Sequence, residues 1–184
     1  MRITPLDITG AALVEMRRVE DDRGFFARSF CREEFTAAGL ETLVEQANVS
    51  FNVRAGTLRG LHYQVAPVPE AKLVRCTRGR VADVLVDMRE DSPTYLHHQV
   101  VELSADNRLA LYVPPLCAHG YLTLVDHAEV SYQVSAPYTP TAERGLRFDD
   151  PALAIRWPAE AIVVSDKDRS WPLLQVGRHA PPCR

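Results

Sequence analysis

The punctuation of this chain limits its fold more than any single motif does. Short apolar runs of strand type recur at spacings of roughly 8–12 residues, with turn residues between them, which predicts an antiparallel sandwich or barrel. The runs cover 12–18, 24–30, 43–51, 57–64, 71–77, 81–88, 98–103, 108–113, 118–125 and 128–134. Glu20-Asp21-Asp22-Arg23, Ser104-Ala105-Asp106-Asn107 and Asp126-His127 supply turns, and Arg78-Gly79-Arg80 reads as a tight hairpin between two strands. One helical patch, Cys31 to Leu40, is ended by Gly39. Beyond Arg147 the pattern weakens: Arg147 to Pro158 is turn-rich, Ser165-Asp166-Lys167-Asp168 reads as a charged loop, and the tail from about 177 as frayed. No repeat, low-complexity stretch or linker divides the chain, so residues 1–184 are expected to form a single domain.

At 184 residues the chain is long enough to bury a core. A formal charge of −3 argues against an extended nucleic-acid face, while leaving room for a local basic pocket that binds phosphate. No apolar run reaches the roughly 18 residues of a membrane span. The first residues, Met1-Arg2-Ile3-Thr4-Pro5, lack the apolar stretch of an export signal, so a cytoplasmic location is expected. Cys31, Cys76, Cys117 and Cys183 form no CxxC pair and read as reduced cysteines, outside any zinc site or disulfide frame.

Chemistry concentrates in Gly56-Thr57-Leu58-Arg59-Gly60-Leu61-His62-Tyr63-Gln64 and in Ala71-Lys72-Leu73-Val74. His62 is a candidate base for a proton on carbon if a carboxylate orients it. Asp83, Asp87, Asp166 and Asp168 are all candidates for that carboxylate, and spacing does not choose among them. Strand alternation puts His62 and Gln64 on one face with Gly60, and Leu61 and Tyr63 on the other. Lys72, opening an apolar strand, either snorkels or stabilises a developing enolate oxygen. Arg23-Gly24 and Arg59-Gly60 each join a phosphate-binding side chain to a glycine that permits close approach. Tyr132, in mid-strand, is either a packing residue or a proton donor on a second face. His119 is a further polar group near the same pocket. Tyr138 and Glu143 mark a strand-to-loop exit and are candidate substrate contacts. His97, His98, His127 and His179 read as turn or surface residues. A barrel metal site would use His62, position 64, Glu70 and His119, but Gln64 is a poor ligand, so no metal and no cofactor are expected.

In this order, several segments together resemble the dTDP-4-dehydrorhamnose 3,5-epimerase family of the cupin superfamily, from about Arg2 to Leu174. They are Asp22-Arg23-Gly24-Phe25-Phe26, Gln46-Ala47-Asn48-Val49-Ser50, Leu58 to Gln64, Ala71 to Val74 and Asp83 to Arg89. Ser92-Pro93-Thr94, Ala118-His119-Gly120-Tyr121, Asp150-Pro151 with Trp157-Pro158, and Ser165 to Asp168 complete the set. The resemblance implies an all-β, cupin-type jelly roll with short helices in its N-terminal and C-terminal parts, a homodimer, and catalysis without metal. It implies that His62, paired with Asp168, is the base, that Lys72 stabilises the C4 enolate oxygen, and that Tyr132 returns a proton on the opposite face. Arg59, with Arg23 from a partner subunit, would hold the diphosphate of a dTDP-linked sugar. Phe26, Gln46, Asn48 and Tyr138 would line the nucleoside and sugar pocket, with His119 near the sugar. The chain departs from the family at Arg28, where Glu is common, at Leu116-Cys117, where Gly-Phe is usual, and at Glu70, where Gln is frequent. Such changes leave open inversion of one carbon only, or a ketoisomerase, on another nucleotide-linked keto-sugar.

Overall fold

The computed structural model describes residues 1–175. In chain order the strands are β1 (Arg2–Pro5), β2 (Ala12–Glu15), β3 (Arg18–Asp21) and β4 (Gly24–Ala27), followed by helix α1 (Arg32–Ala37). Next come β5 (Gln46–Asn52), β6 (Thr57–Gln64), β7 (Lys72–Arg78), β8 (Arg80–Asp87), β9 (His98–Ser104) and β10 (Ala110–Val113). Last are β11 (Cys117–Thr123), β12 (Ala128–Val134), β13 (Glu143–Gly145), β14 (Val163–Val164) and helix α2 (Asp166–Ser170).

One sheet has the order β1-β2-β10-β7-β12-β5; the other has β13-β6-β11-β8-β9, with β14 alongside β6, and β3-β4 stands apart as a hairpin. Only the β14–β6 pairing is parallel among these. This is the double-sheet jelly roll that the family resemblance implies. The hairpin expected at Arg78-Gly79-Arg80 is not formed. β7 and β8 belong to different sheets, and the chain turns from one to the other at Gly79. A tight Gly turn looks the same in sequence whether the next strand folds back alongside or crosses to the facing sheet.

Alternation sorts the apolar residues into three layers. Between the sheets lie Val74 and Cys76 of β7, Val81 and Leu85 of β8, Leu111 and Val113 of β10, and Cys117 and Tyr121 of β11. The opposite faces are covered as well. Ala110, Tyr112 and Leu73 pack outward against Phe35 of α1, while Val84, Val86 and Ala118 pack against Leu61, Leu146 and Leu153. Two covered faces explain why β8 reads as a nearly continuous apolar run and why β11 is buried along its whole length. Helix α1 lacks a side-chain N-cap and is anchored by buried Phe35, whose ring lies 4.9 Å from that of Phe30. Burying one such side chain contributes about 1.5–3 kcal/mol. Gly39, at φ +71°, ends the helix as expected.

Several boundaries differ from the sequence expectation; β4 stops at Ala27 rather than 30, and β5 begins at Gln46 rather than 43. The run 12–18 splits into β2 and β3, so Glu20 and Asp21 are strand residues and only Asp22 and Arg23 turn. β1, β13 and β14 are too short to carry a visible period. Ser165 to Asp168 is not a loop: it is the N-cap and first turn of α2. The tail expected to fray from about 177 lies outside the described residues.

Candidate active site

A cavity of about 770 Å³ opens between the two sheets. β6 supplies Arg59 and His62 to its wall. Strict alternation would put residues three apart on opposite faces, but β6 is bulged. His119 of β11 pairs with His62, and Tyr121, two residues on, pairs with Arg59, three residues back. The extra residue re-aims the arginine to the histidine's side. The bulge therefore replaces the expected sharing of a face by Gly60 and His62. Gly60 sits in it at φ +123°, and a Cβ there would come within 2.5 Å of Gly120 Cα, so the two strands meet backbone to backbone.

His62 Nε2 lies 2.6 Å from Asp168 Oδ1. Local sequence explains the placement of that carboxylate. Val163-Val164 aligns with Thr57-Leu58 of β6, which brings the segment to the cavity. Ser165 then caps α2, its Oγ accepting the Asp168 N–H at 3.1 Å, which fixes Asp168 in the first turn. Asp168 is only 3 % exposed. Burial opposes its ionisation, but hydrogen bonding and the charge of His62, with help from Ser165 and the Gly60 N–H, hold its pKa below the ordinary carboxylate value. Of the four acids left open by spacing, Asp168 is thus the partner. Asp83 instead meets His119 Nε2 at 2.8 Å, and burial pushes its pKa up. Asp87 accepts from Arg89, Ser92 and Thr94, away from the cavity. Trp171 stands edge-on to His62, with ring centroids 6.3 Å apart, and fits there because position 145 is glycine.

The facing wall belongs to the other sheet. Gln46, Asn48 and Ser50 alternate along β5, Tyr132 lies opposite Asn48 on β12, and Lys72 begins β7. Burial pushes the Tyr132 phenol up, with smaller contributions from Tyr121 and the Glu70 charge, against a lowering by Arg59. Lys72 forms an ion pair with Glu70, and both side chains are about nine-tenths buried. At the cavity mouth, Tyr138 donates its hydroxyl to Glu143 at 2.9 Å, and Lys167 Nζ reaches both Glu143 oxygens at 2.7 Å.

Ten of the twelve expected site residues therefore line one cavity: His62, Lys72, Tyr132, Asp168, Gln46, Asn48, Arg59, His119, Tyr138 and Glu143. Arg23 and Phe26 do not. They lie on the β3–β4 hairpin, Phe26 being 74 % exposed and Arg23 paired with Asp21. Arg28 faces Glu34 of α1 rather than the cavity. Gln64 is engaged by Thr139 N–H and by the carbonyls of Val68 and Pro137. Among the described residues no group of three or more His, Cys, Asp or Glu side chains is placed to hold a metal. Cys76 and Cys117 are buried, which pushes their thiols up to about 11 and about 12. Lys167 and Tyr121 also line the cavity and were missed by sequence reasoning. Alternation from His119 was signal enough for Tyr121, and the spacing from Asp168 for Lys167.

The family model described as dTDP-4-dehydrorhamnose 3,5-epimerase matches residues 5–176. A dTDP-4-dehydrorhamnose 3,5-epimerase of Sinorhizobium fredii is 42 % identical over 95 % of this chain and 90 % of its own. A dTDP-4-dehydrorhamnose 3-epimerase of Streptomyces niveus is 37 % identical over 98 % of this chain and 87 % of its own. The crystal structure of the 3,5-epimerase from Bacillus anthracis, with TDP and pyrophosphate bound, superposes with a TM-score of 0.90 at 42 % identity, covering 94 % of this chain and 99 % of that one.

Proposed function

This chain belongs to the dTDP-4-dehydrorhamnose 3,5-epimerase family, and from that premise we propose how its cavity inverts carbon centres of dTDP-4-keto-6-deoxy-D-glucose. The observation that carries the proposal is the position of two proton carriers on facing sheets, His62 on β6 and Tyr132 on β12, around one cavity. The C4 ketone makes the hydrogens on C3 and C5 acidic. His62 takes one of them, and the electron pair moves onto the C4 oxygen as an enolate. The Lys72 ammonium stabilises that oxygen electrostatically. Tyr132 delivers a proton to the opposite face of the same carbon, which inverts it. Each positioned acid or base contributes about 10²–10⁴-fold.

Arg59 holds the diphosphate in this reading, while Gln46, Asn48, Tyr138, Glu143 and His119 contact the sugar and nucleoside. Arg23 and Phe26 reach a partner subunit's cavity, so the working form is a homodimer. Support for the dimer comes from apolar surface on the β3–β4 hairpin and on edge strand β5: Val19, Phe26, Val49 and Phe51 are all exposed. We place the enzyme in the cytoplasm as a single-domain protein needing no cofactor. Its described cysteines are unpaired, and no described helix is long and apolar enough to cross a membrane.

Relatives of similar identity are named both as 3,5-epimerases and as a 3-epimerase. Inversion at both centres is the first reading, and inversion at C3 alone the second. Incubation with dTDP-4-keto-6-deoxy-D-glucose and a rhamnose-forming reductase tests the choice: dTDP-L-rhamnose requires both inversions, and its absence while C3 still exchanges identifies the single-centre enzyme.

A further inference from the structure

The proposed diphosphate contact, Arg59, does not stand alone in the cavity wall. Its Nε donates to Asn52 Oδ1 at 2.7 Å. Asn52 ends β5 and is 2 % exposed. The Asn52 amide nitrogen faces three acceptors: the carbonyls of Ala128 at 3.2 Å and Ser50 at 3.4 Å, and the Tyr121 hydroxyl at 3.3 Å. Tyr121 in turn donates to Ser50 Oγ at 2.8 Å, which leaves its oxygen lone pairs toward Asn52. An amide whose nitrogen is surrounded by acceptors has its oxygen oriented away from them, so the side chain presents one defined acceptor to Arg59. Polar groups buried this deeply are costly to leave unpaired, which makes the arrangement stiff.

We propose that Asn52 is a positioning residue for nucleotide binding, fixing Arg59 through Nε so that the two terminal guanidinium nitrogens face a diphosphate. This inference rests on the reading of Arg59 as the diphosphate contact. The chemistry of the acceptor is informative. A carboxylate in place of the amide would orient the guanidinium equally well but would cancel its charge and compete with phosphate. A neutral amide oxygen orients without neutralising, and the end-on pair of N–H donors that remains is the geometry in which Arg binds phosphate bidentately. Asn52 lies outside the cavity lining and, among the described residues, its side chain hydrogen-bonds only to Arg59, Ser50, Ala128 and Tyr121, so its effect falls on ground-state binding.

The test compares binding of dTDP and of thymidine to the full chain by calorimetry, for native protein, Asn52→Ala, Asn52→Asp, Arg59→Ala and the Asn52→Ala/Arg59→Ala double variant. Expected are a loss of about tenfold in dTDP affinity for Asn52→Ala, at least as large a loss for the isosteric Asn52→Asp, and unchanged thymidine binding in both. In the Arg59→Ala background, Asn52→Ala should cause no further loss. Unchanged thymidine binding also shows that the variants keep their fold. Parallel loss of dTDP and thymidine affinity, or native dTDP affinity in Asn52→Asp, overturns the inference while leaving the Arg59 contact intact. Native dTDP affinity in Arg59→Ala refutes the Arg59 contact itself, and the role of Asn52 falls with it.

Discussion

His62 Nε2 and Asp168 Oδ1 meet at 2.6 Å across 106 residues of sequence. Because Asp168 is held in its anionic form, it can only accept, so Nε2 carries the shared proton. If His62 is the base, as proposed, Nδ1 is then the nitrogen left to take a proton from carbon. A buried strand end, a serine cap and one turn of helix thus determine which atom of His62 is basic.

Asp168→Asn removes the obligate acceptor and allows the amide NH₂ to face Nε2, which favours the wrong tautomer. Hydrogen exchange at the sugar carbons should fall at least ~10²-fold. The sign of the pH effect follows from the lowered pKa of Asp168. The stabilisation it supplies is complete above the ordinary Asp value of about 3.9 and is lost only as pH falls through the lower, folded value. No limb of the pH–rate profile above about pH 4 should therefore belong to Asp168.

Tyr132→Phe should separate exchange from inversion. His62 can still remove and return a proton on its own face, so solvent deuterium enters the substrate, but the inverted product fails to appear. Burial, then Tyr121 and Glu70, push the Tyr132 phenol up, so it stays protonated above the ordinary tyrosine value of about 10. Glu70→Gln removes an anion that favours the protonated form. The alkaline fall in rate should move to lower pH in that variant, and an unmoved limb would show that Tyr132 does not set it.

Gly145→Ala places a Cβ about 2.1 Å from the Trp171 ring and must displace the indole that borders His62. Exchange is expected to drop by about 10²-fold through misplacement of the base. Tryptophan emission should shift in the same variant, and native activity with a shifted spectrum would show that Trp171 does not position His62.

Asp87→Ala strips Arg89, Ser92 and Thr94 of their shared acceptor and leaves a half-sheltered guanidinium without its partner. A loss of about 3–5 kcal/mol in urea unfolding is expected. A loss under about 1 kcal/mol would mean that solvent replaces the carboxylate freely.

Much of this site was legible in the sequence because strands of period two carry it. β6 occupies 57–64 as expected, and Lys72 and Tyr132 lie on strands whose alternation turns them inward. Pairings between distant segments were not legible. Four aspartates had equal claim on His62, and only the family resemblance singled out Asp168. Asp83 serves His119, its diagonal same-face neighbour on adjacent strand β11, a choice made by register rather than by spacing. The bulge at Gly60 was not legible either, since a glycine in a strand marks a bulge or a close backbone approach without saying which. Asn52 lies one residue past the run expected over 43–51, and its link to Arg59 exists only once β5, β6 and β11 are brought together.

The most direct measurement is ¹H NMR of dTDP-4-keto-6-deoxy-D-glucose in D₂O with native protein and with His62→Ala. Loss of the C3 and C5 proton signals with native protein, and their persistence with His62→Ala, is the predicted result. Exchange that continues undiminished in His62→Ala would contradict His62 as the base, and no exchange with native protein would contradict epimerisation of this sugar by this cavity.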